Sequence, residues 1–571
     1  MTMTRLRMAF VVMMCWAWCL AGTAQVKMAA QGTATQLSVG GKPMLLLGGE
    51  LSNSAATSVD DIDEVMPRMK ALGLNTVLVP VCWDLLEPVE GQFDFTLTDR
   101  TIDQARQCGL KVVLLWFGAW KNSMSCYAPL WFKEDTKRFP RSMTRTGKPL
   151  EIASAFSANV LQADKRAFLQ LMRHLAEKDG QENTVLMVQV ENEIGMLEDA
   201  RDHSAVADKM FAGAVPSELI AFLQRNKKQL HPWLSERLGD GKQVAKGNTW
   251  QQVFGSDLFA DEIFMAYHYA RYVEQLASEA RAIYDLPLYV NAAMNSRGRK
   301  PGEYPSAGPL AHLIDIWHCG APSIDLLAPD LYDTGFKGWV AQYKLHNNPL
   351  FIPECRLNDE AAAKALYVYG EYDAIGFCPF CIDKTEKAYT DQLSKAYDLL
   401  HQLESVLLKH QGQGHTYGLL FDKEDQRRVV NDGDVVLTCS HTCTLGWDGR
   451  YRNADQWPTT GGIVVRLSEK EYLIAGTGIV VAFAKATEAA QQQQRQLGED
   501  GFAEKGDNDK ADEARFKGKR IGIGFVDEVK VDANGKFSYV RRDNGDQDHQ
   551  GRHARIDMDC WRILHVKLYE Y

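Results

Sequence analysis

The sequence predicts an α/β fold, a (β/α)8 TIM barrel, followed by a C-terminal all-β domain of the sandwich kind, and three observations carry that prediction. Between about residue 40 and residue 408, near-continuously apolar strand-like segments alternate with helix-like ones eight times. Such strands are buried on both faces, as parallel strands covered by helices are, and eight units of this kind make a barrel with insertions. No glycine-rich phosphate turn follows the first strand: "GGELSNS" lacks the G-x-G-x-x-G spacing of the doubly wound rival. After about residue 410 helical periodicity fades into short alternating runs such as "GIVVRLSE" and "EYLIAGTGIVVAFAKA".

At the N-terminus, Arg5 and Arg7 precede an apolar run from Met8 to Leu20 and the small residues Ala21-Gly22-Thr23-Ala24. A charged start, an apolar stretch too short to span a bilayer and a small-residue cleavage site are the parts of a signal peptide, residues 1–24. The mature protein is therefore expected to be exported, periplasmic or extracellular. Residues 25–410 are expected to form the barrel. Its first strand reads "PMLLLGG" (43–49), and the next helix opens on Ser58-x-x-Asp61, a capping-box pattern. Ile62, Val65, Met66, Met69 and Leu72 recur at helical spacing and Gly73 closes the helix, while Pro67 argues for a later start.

"NTVLVPV" (75–81), a helix near 97–108 and "KVVLLWF" (111–117) come next. A helix at about 163–179 leads to "TVLMVQV" (184–190), and a long one near 257–284 leads to "LPLYVN" (286–291). "SIDLLAPDLY" (323–332), "NPLFIPE" (348–354) and "DAIGFCPF" (373–380) complete the eight strands, and a helix at about 389–408 ends the barrel. Residues 411–571 are expected to be the β-domain. Within it "FVDEVKVDANGKFSYV" reads as a hairpin turning at Asn534-Gly535. A polar, low-complexity surface loop is expected near 488–518; its "DNDKAD" lacks the glycine and terminal Glu of a calcium loop.

Loss of the leader's two arginines takes the formal net charge from −10 to −12. An acidic chain without a basic tract is no nucleic-acid binder, and a neutral substrate suits it better than an anionic one. Outside the leader no stretch approaches the ~18 apolar residues of a membrane span. Thirteen Trp and twenty Tyr hint at surfaces that stack on flat ligands. Of twelve cysteines, Cys15 and Cys19 leave with the leader, and ten are too few for a disulfide scaffold of this length. Cys378 and Cys381 have redox-motif spacing but sit in an apolar run, so they read as buried strand residues rather than a thiol site.

The fourth strand runs directly into Glu191-Asn192-Glu193, and the seventh ends on Glu354. In a barrel, function collects at the C-terminal ends of the strands. Two carboxylates facing one mouth meet the demand of glycosidic cleavage: one donates a proton to the leaving oxygen, the other stabilises or attacks the anomeric carbon. Tyr332, just beyond strand six, is placed to donate to the carboxylate of strand seven. Trp83, Trp116 and Trp120 stand at or beyond strand ends, where a ring can floor a sugar or pack in the core. Glu50 and Asn291 are strand-end polar groups suited to sugar hydroxyls.

"VQVENEIG" closely resembles the strand-four segment of glycoside hydrolase family 35, the β-galactosidases. "LNTVLVPVCWDLLEPVEGQFDF" (74–95) resembles that family's second strand and its continuation. "HLIDIWHCGAPSIDLLAPDLY" (312–332) and "NGDQDHQGRH" (544–553) are similar to a bacterial subset with its own C-terminal β-domain. The resemblance implies Glu193 as acid/base, Glu354 as nucleophile, Asn192 on the sugar 2-hydroxyl, and a structural Glu191 pointing elsewhere. It implies an exported, retaining exo-β-glycosidase, a β-galactosidase releasing terminal galactose from plant-type oligo- or polysaccharide. One departure stands after strand three: "FGAWKNSMSCYAP" (117–129) lacks the family's galactose-binding glutamate and offers Lys121 and Asn122 instead. The alternatives are the same mechanism on arabinose, glucose or fucose, and a noncatalytic glycan-binding barrel. The expected partner is a carbohydrate; no metal or organic cofactor is implied, and the oligomeric state is left open.

Overall fold

A computed structural model describes residues 26–295, 298–345, 348–492 and 518–571 of the protein. The leader lies outside the described residues, as does most of the polar segment near 488–518, whose first residues belong to a short helix, Ala486–Gln492.

A three-stranded antiparallel sheet, Val26–Gln31, Ala34–Val39 and Lys42–Met44, precedes the barrel. The run "PMLLLGG" is thus split: its start closes this small sheet, and the first barrel strand begins only at Leu46. The barrel strands are Leu46–Glu50, Thr76–Cys82, Lys111–Lys121, Val185–Asn192, Leu288–Ala293 and Leu326–Leu331, then a seventh in two halves, Phe351–Ile352 and Glu354–Cys355, and an eighth, Gly376–Phe377. Pro353 separates the halves of the seventh because it has no N–H to give a ladder. Phe351–Ile352 pairs with the eighth strand and Glu354–Cys355 with the sixth, all in parallel, so the sheet closes on itself. The barrel predicted from the alternation of apolar segments is the fold observed.

Helices cover the outside. Val59–Ala71 starts where the capping pattern puts it, with the Ser58 side chain accepting from the Asp61 N–H. It runs through Pro67 instead of starting after it: Pro67 lies on the solvent face, where water can serve the carbonyl left without an N–H. Thr96–Cys108 and Ala158–Asp179 follow, then a group of short helices ahead of Leu258–Ile283. The last barrel helix, Lys387–His410, places the Tyr397 hydroxyl 2.7 Å from the carbonyls of both Gly48 and Phe377, so it ties the first strand to the eighth. Among the described residues no helix is long and apolar enough to cross a membrane.

The C-terminal part is two antiparallel sheets. One has six strands in the order Thr416–Phe421, Thr460–Ser468, Glu471–Thr477, Arg562–Glu570, Ile521–Val531, Phe537–Asp543; the other has four, Arg427–Asp432, Val435–His441, Ile479–Lys485, Ala554–Ile556. The last hairpin of the larger sheet turns through Asn534 and Gly535 at φ 77°. The alternation of side chains along its strands shows why it is apolar on both sides. Leu419, Val464, Tyr472 and Ile474 face the smaller sheet, whereas Leu420, Ile463, Val465 and Leu473 join the core of the barrel. Contact is close: a Cβ on Gly418 would stand 2.2 Å from the Tyr367 carbonyl, and one on Gly461 2.8 Å from that of Ala363. The helix Ala361–Tyr372 therefore lies directly on the sheet, and Arg428 pairs with Glu371 across the seam.

All ten described cysteines are free. Cys378 is enclosed in the barrel, and burial pushes its thiol well above the usual range, so it is no thiolate centre.

Candidate active site

The C-terminal ends of the strands bring Glu50, Lys121, Asn192, Glu193, Asn291, Asp330, Tyr332 and Glu354 to one place. Register explains much of this. Lys121 pairs with Asn192 across strands three and four, and Asp330 with Glu354 across strands six and seven. Between Trp116 and Lys121 the third strand bulges, so it continues four residues beyond the stretch its sequence suggests. The bulge carries Asn122 to the mouth and turns Trp120 away from it.

Glu193 does not follow the two-residue alternation of a strand. Both Glu191 and Glu193 hold left-handed backbone, at φ 62° and 45°, and so do the facing Asn122 and Ser123 at 50° and 60°. Such conformations cost on the order of 1–3 kcal/mol each and persist only where the surroundings enforce them. Here the Ser123 N–H donates to the Glu193 carbonyl at 3.1 Å and the Glu193 N–H to Asn291 Oδ1 at 2.8 Å. The twist separates the two glutamates. Glu191 points behind the sheet, where it accepts from the Trp120 N–H at 2.8 Å and lies against Asp164, itself held by Trp116 and Tyr272. Gly118 makes room for this pair, since a Cβ there would stand 2.9 Å from Glu191 Oε1.

Glu193 faces the mouth, with the Asn122 amide donating to its Oε2. One oxygen each of Glu193, Asp330 and Glu354 lies within 4.8 Å of the others. Glu354 accepts from Asn192 Nδ2 at 3.2 Å and Asn291 Nδ2 at 3.4 Å on one oxygen, and from the Tyr332 hydroxyl at 2.9 Å on the other. Tyr332 and Asn122 are exposed at the rim, above glutamates that are only 3% and 6% exposed. Beside Tyr332 opens a cleft of about 630 Å³ lined by Arg356 and Asn358 from the barrel and by Leu420 and Asp422 from the β-domain.

Burial, more than the neighbouring charge of Glu354, pushes the Glu193 carboxyl up to about 7; Lys121, Asp330 and Asn122 pull the other way. Glu50 and Asp330 are completely buried and rise well above the carboxylate range, burial leading in each and Glu354 following. Neither Glu50 oxygen has a hydrogen-bond donor. Glu50 therefore keeps its proton to higher pH in the folded protein than in the unfolded chain, where it is released at about pH 4.3. It contributes stability that is fully present below that pH and is lost, at about 1.4 kcal/mol per pH unit, as pH rises through the folded value. Glu50→Gln is accordingly expected to raise the melting temperature at pH 8 and leave it unchanged at pH 4; equal effects at both values would contradict this.

The tryptophans are a correction. Trp83, Trp116 and Trp120 are fully buried. Trp83 packs on Trp116, Trp131 and Phe132 and donates to Glu87, and Trp120 meets Tyr269 and Tyr272 of the outer helix edge-on. None of the three floors the mouth. Asp330 is the residue that sequence reasoning did not assign to the centre. Asp330 did carry a signal: an acid inside an apolar strand, two residues before Tyr332 and so on the same face.

The sequence model of glycoside hydrolase family 42, described as beta-galactosidase, matches residues 54–263. This overturns the family-35 assignment. The segments on which that assignment chiefly leaned, "VQVENEIG" and residues 74–95, both lie within the stretch that the family-42 model matches. A domain of unknown function (DUF5597) matches residues 393–555. A beta-galactosidase of Xanthomonas manihotis is 30% identical over 184 residues, 30% of this chain and 27% of that protein. The chain thus spans little more than a quarter of that relative's length. Among solved structures, a beta-galactosidase from Marinomonas ef1 aligns at 12% identity and TM-score 0.44, over 63% of this chain and 60% of that one. A GH42 beta-galactosidase from G. stearothermophilus aligns at 15% identity and TM-score 0.43, over 64% and 57%.

Proposed function

We propose that the protein is an exported glycoside hydrolase that releases terminal β-linked galactose by double displacement. The observation that carries this reading is the pair Glu193 and Glu354, with oxygens within 4.8 Å of one another at the mouth of the barrel. A gap of about 5 to 5.5 Å serves retention, whereas inversion needs roughly 6.5 to 9.5 Å to admit a water. The two environments divide the roles. Glu193, raised to about 7, keeps a proton near neutrality and gives it to the leaving oxygen. Glu354, held by Tyr332, Asn192 and Asn291, attacks the anomeric carbon from the other side. Glu193, now ionised, then takes a proton from the water that releases the sugar. Asn192 donates to Glu354 and stands beside the sugar 2-hydroxyl in that arrangement.

The family-42 match over residues 54–263 supports galactose as the glycone. The leader pattern of residues 1–24 supports export to the periplasm or beyond. The cleft beside Tyr332 offers the β-domain a place next to the rest of an oligo- or polysaccharide. The test is hydrolysis of a panel of nitrophenyl glycosides, with the anomer first released identified by proton NMR. Galactoside turnover with retention is expected. Preference for arabinoside, glucoside or fucoside would move the glycone, inversion would overturn the mechanism, and binding without turnover would make the barrel a glycan-binding protein.

A further inference from the structure

We propose that Asp330 is a positioning residue for the acid/base: it stays protonated through the reaction and donates a hydrogen bond to Glu193, setting the pH at which Glu193 gives up its proton. The proposal rests on the reading of Glu193 as acid/base and goes beyond it by assigning a third carboxyl to the centre.

The geometry leaves Asp330 little choice. It is completely buried at the end of the sixth strand. Its Oδ2 accepts from Asn291 Nδ2 at 2.7 Å, while its Oδ1 has no donor at all. Oxygens of Glu193 and Glu354 lie within 4.8 Å, and Glu50 adds a fourth carboxyl from the first strand. The other ionisable groups around it are Tyr289 on strand five, Tyr332 on its own strand, and Tyr343 on the helix that follows. Burial holds all three phenols neutral. Among the described residues the one cation acting on Glu193 and Glu50 is Lys121, from strand three. Four carboxylates cannot be ionised together in such a space beside a single ammonium.

A proton on Asp330 resolves this. Oδ1 is the oxygen without a donor and so is free to carry it, and Glu193, with an oxygen within 4.8 Å of Asp330 and its acidity increased by that neighbour, is the acceptor. Asn291 fixes both ends, because its Oδ1 takes the Glu193 N–H while its Nδ2 holds Asp330. Proton bookkeeping through the cycle is closed. Glu193 passes its proton to the leaving oxygen and becomes a carboxylate facing the Asp330 O–H. Water later returns a proton to Glu193, and Asp330 keeps its own throughout. Asp330 thus stabilises the ionised acid/base in the intermediate and prevents Glu193 from rising so far that it cannot release its proton. A divalent cation among the three carboxylates is the competing explanation. The amides of Asn122, Asn192 and Asn291 donate to these oxygens and the Lys121 charge acts on Glu193, which opposes it.

The experiment compares wild type, Asp330→Asn and Asp330→Leu. An amide at 330 can accept from Asn291 and donate to Glu193, whereas leucine can do neither. The alkaline limb of kcat/KM on the best nitrophenyl glycoside should stay within about half a pH unit for D330N and move up by one unit or more for D330L. A limb that falls by a unit in D330N would show that Asp330 is anionic and overturn the proposal. So would loss of activity on chelation in wild type but not in D330N. A second measurement does not depend on turnover or on D330L folding. In protein labelled with carboxyl-¹³C aspartate, one signal, missing in D330N, should keep its protonated shift from pH 4 to 8. An ionised shift at pH 6 overturns the proposal. Absence of turnover on every glycoside with that protonated signal present would instead refute the glycosidase reading.

Discussion

Glu354→Gln is expected to abolish hydrolysis of every glycoside the wild type accepts, with kcat reduced by a factor on the order of 10⁴ or more, in line with removal of a covalent nucleophile elsewhere. An amide cannot form and release a glycosyl ester, and among the described residues no other group stands in the same position. Asp330 is engaged with Asn291, and Glu50 is completely buried. The fold should survive, because the carbonyl oxygen of a glutamine at 354 can still accept from the amides of Asn192 and Asn291 while its N–H donates to the Tyr332 hydroxyl. Removing one charge from a crowded acidic centre should if anything stabilise the protein above neutrality. Circular dichroism and thermal melting check the fold, and steady-state rates on an aryl glycoside check the chemistry. Near-wild-type turnover by a folded variant would remove Glu354 from the reaction.

Glu193→Gln should separate the two half-reactions. For a sugar leaving group, which needs protonation, the rate should fall by roughly 10²–10⁴. For a dinitrophenyl leaving group the first step needs no proton, so glycosyl-enzyme should form quickly and accumulate, and its release should limit turnover. The pH profile gives an independent reading. Wild type should lose kcat/KM on an alkaline limb near pH 7, where Glu193 gives up its proton in the free enzyme. That limb should be absent in the variant. Equal losses on both leaving groups with an unchanged profile would place the acid elsewhere.

Much of this was legible in the chain because it depends on local pattern. Eight apolar segments in alternation with helices dictate a closed parallel sheet whatever the loops do, and the strand-end positions of Glu193 and Glu354 follow from that arithmetic. The Ser58 cap and the Asn534-Gly535 turn are likewise decided within a few residues. The tryptophans were not legible, because a strand end is either mouth or wall according to backbone detail. A bulge between Trp116 and Lys121 rotates Trp120 outward and delivers Asn122. The family was not legible either, since the segments that suggested family 35 lie within the stretch that the family-42 model matches.

Hydrophobic periodicity and the chain positions of two glutamates were sufficient to specify the architecture and the kind of chemistry, for both are properties of sequence order. Which carboxyl is acidic, which keeps its proton and which merely fills space depend on burial and on distances between groups that meet only after folding. Glu191 and Glu193, two residues apart, ended on opposite sides of the sheet because both backbones are left-handed. Glu50, Asp330, Glu193 and Glu354, spread across more than 300 residues, became one electrostatic unit because the barrel closes.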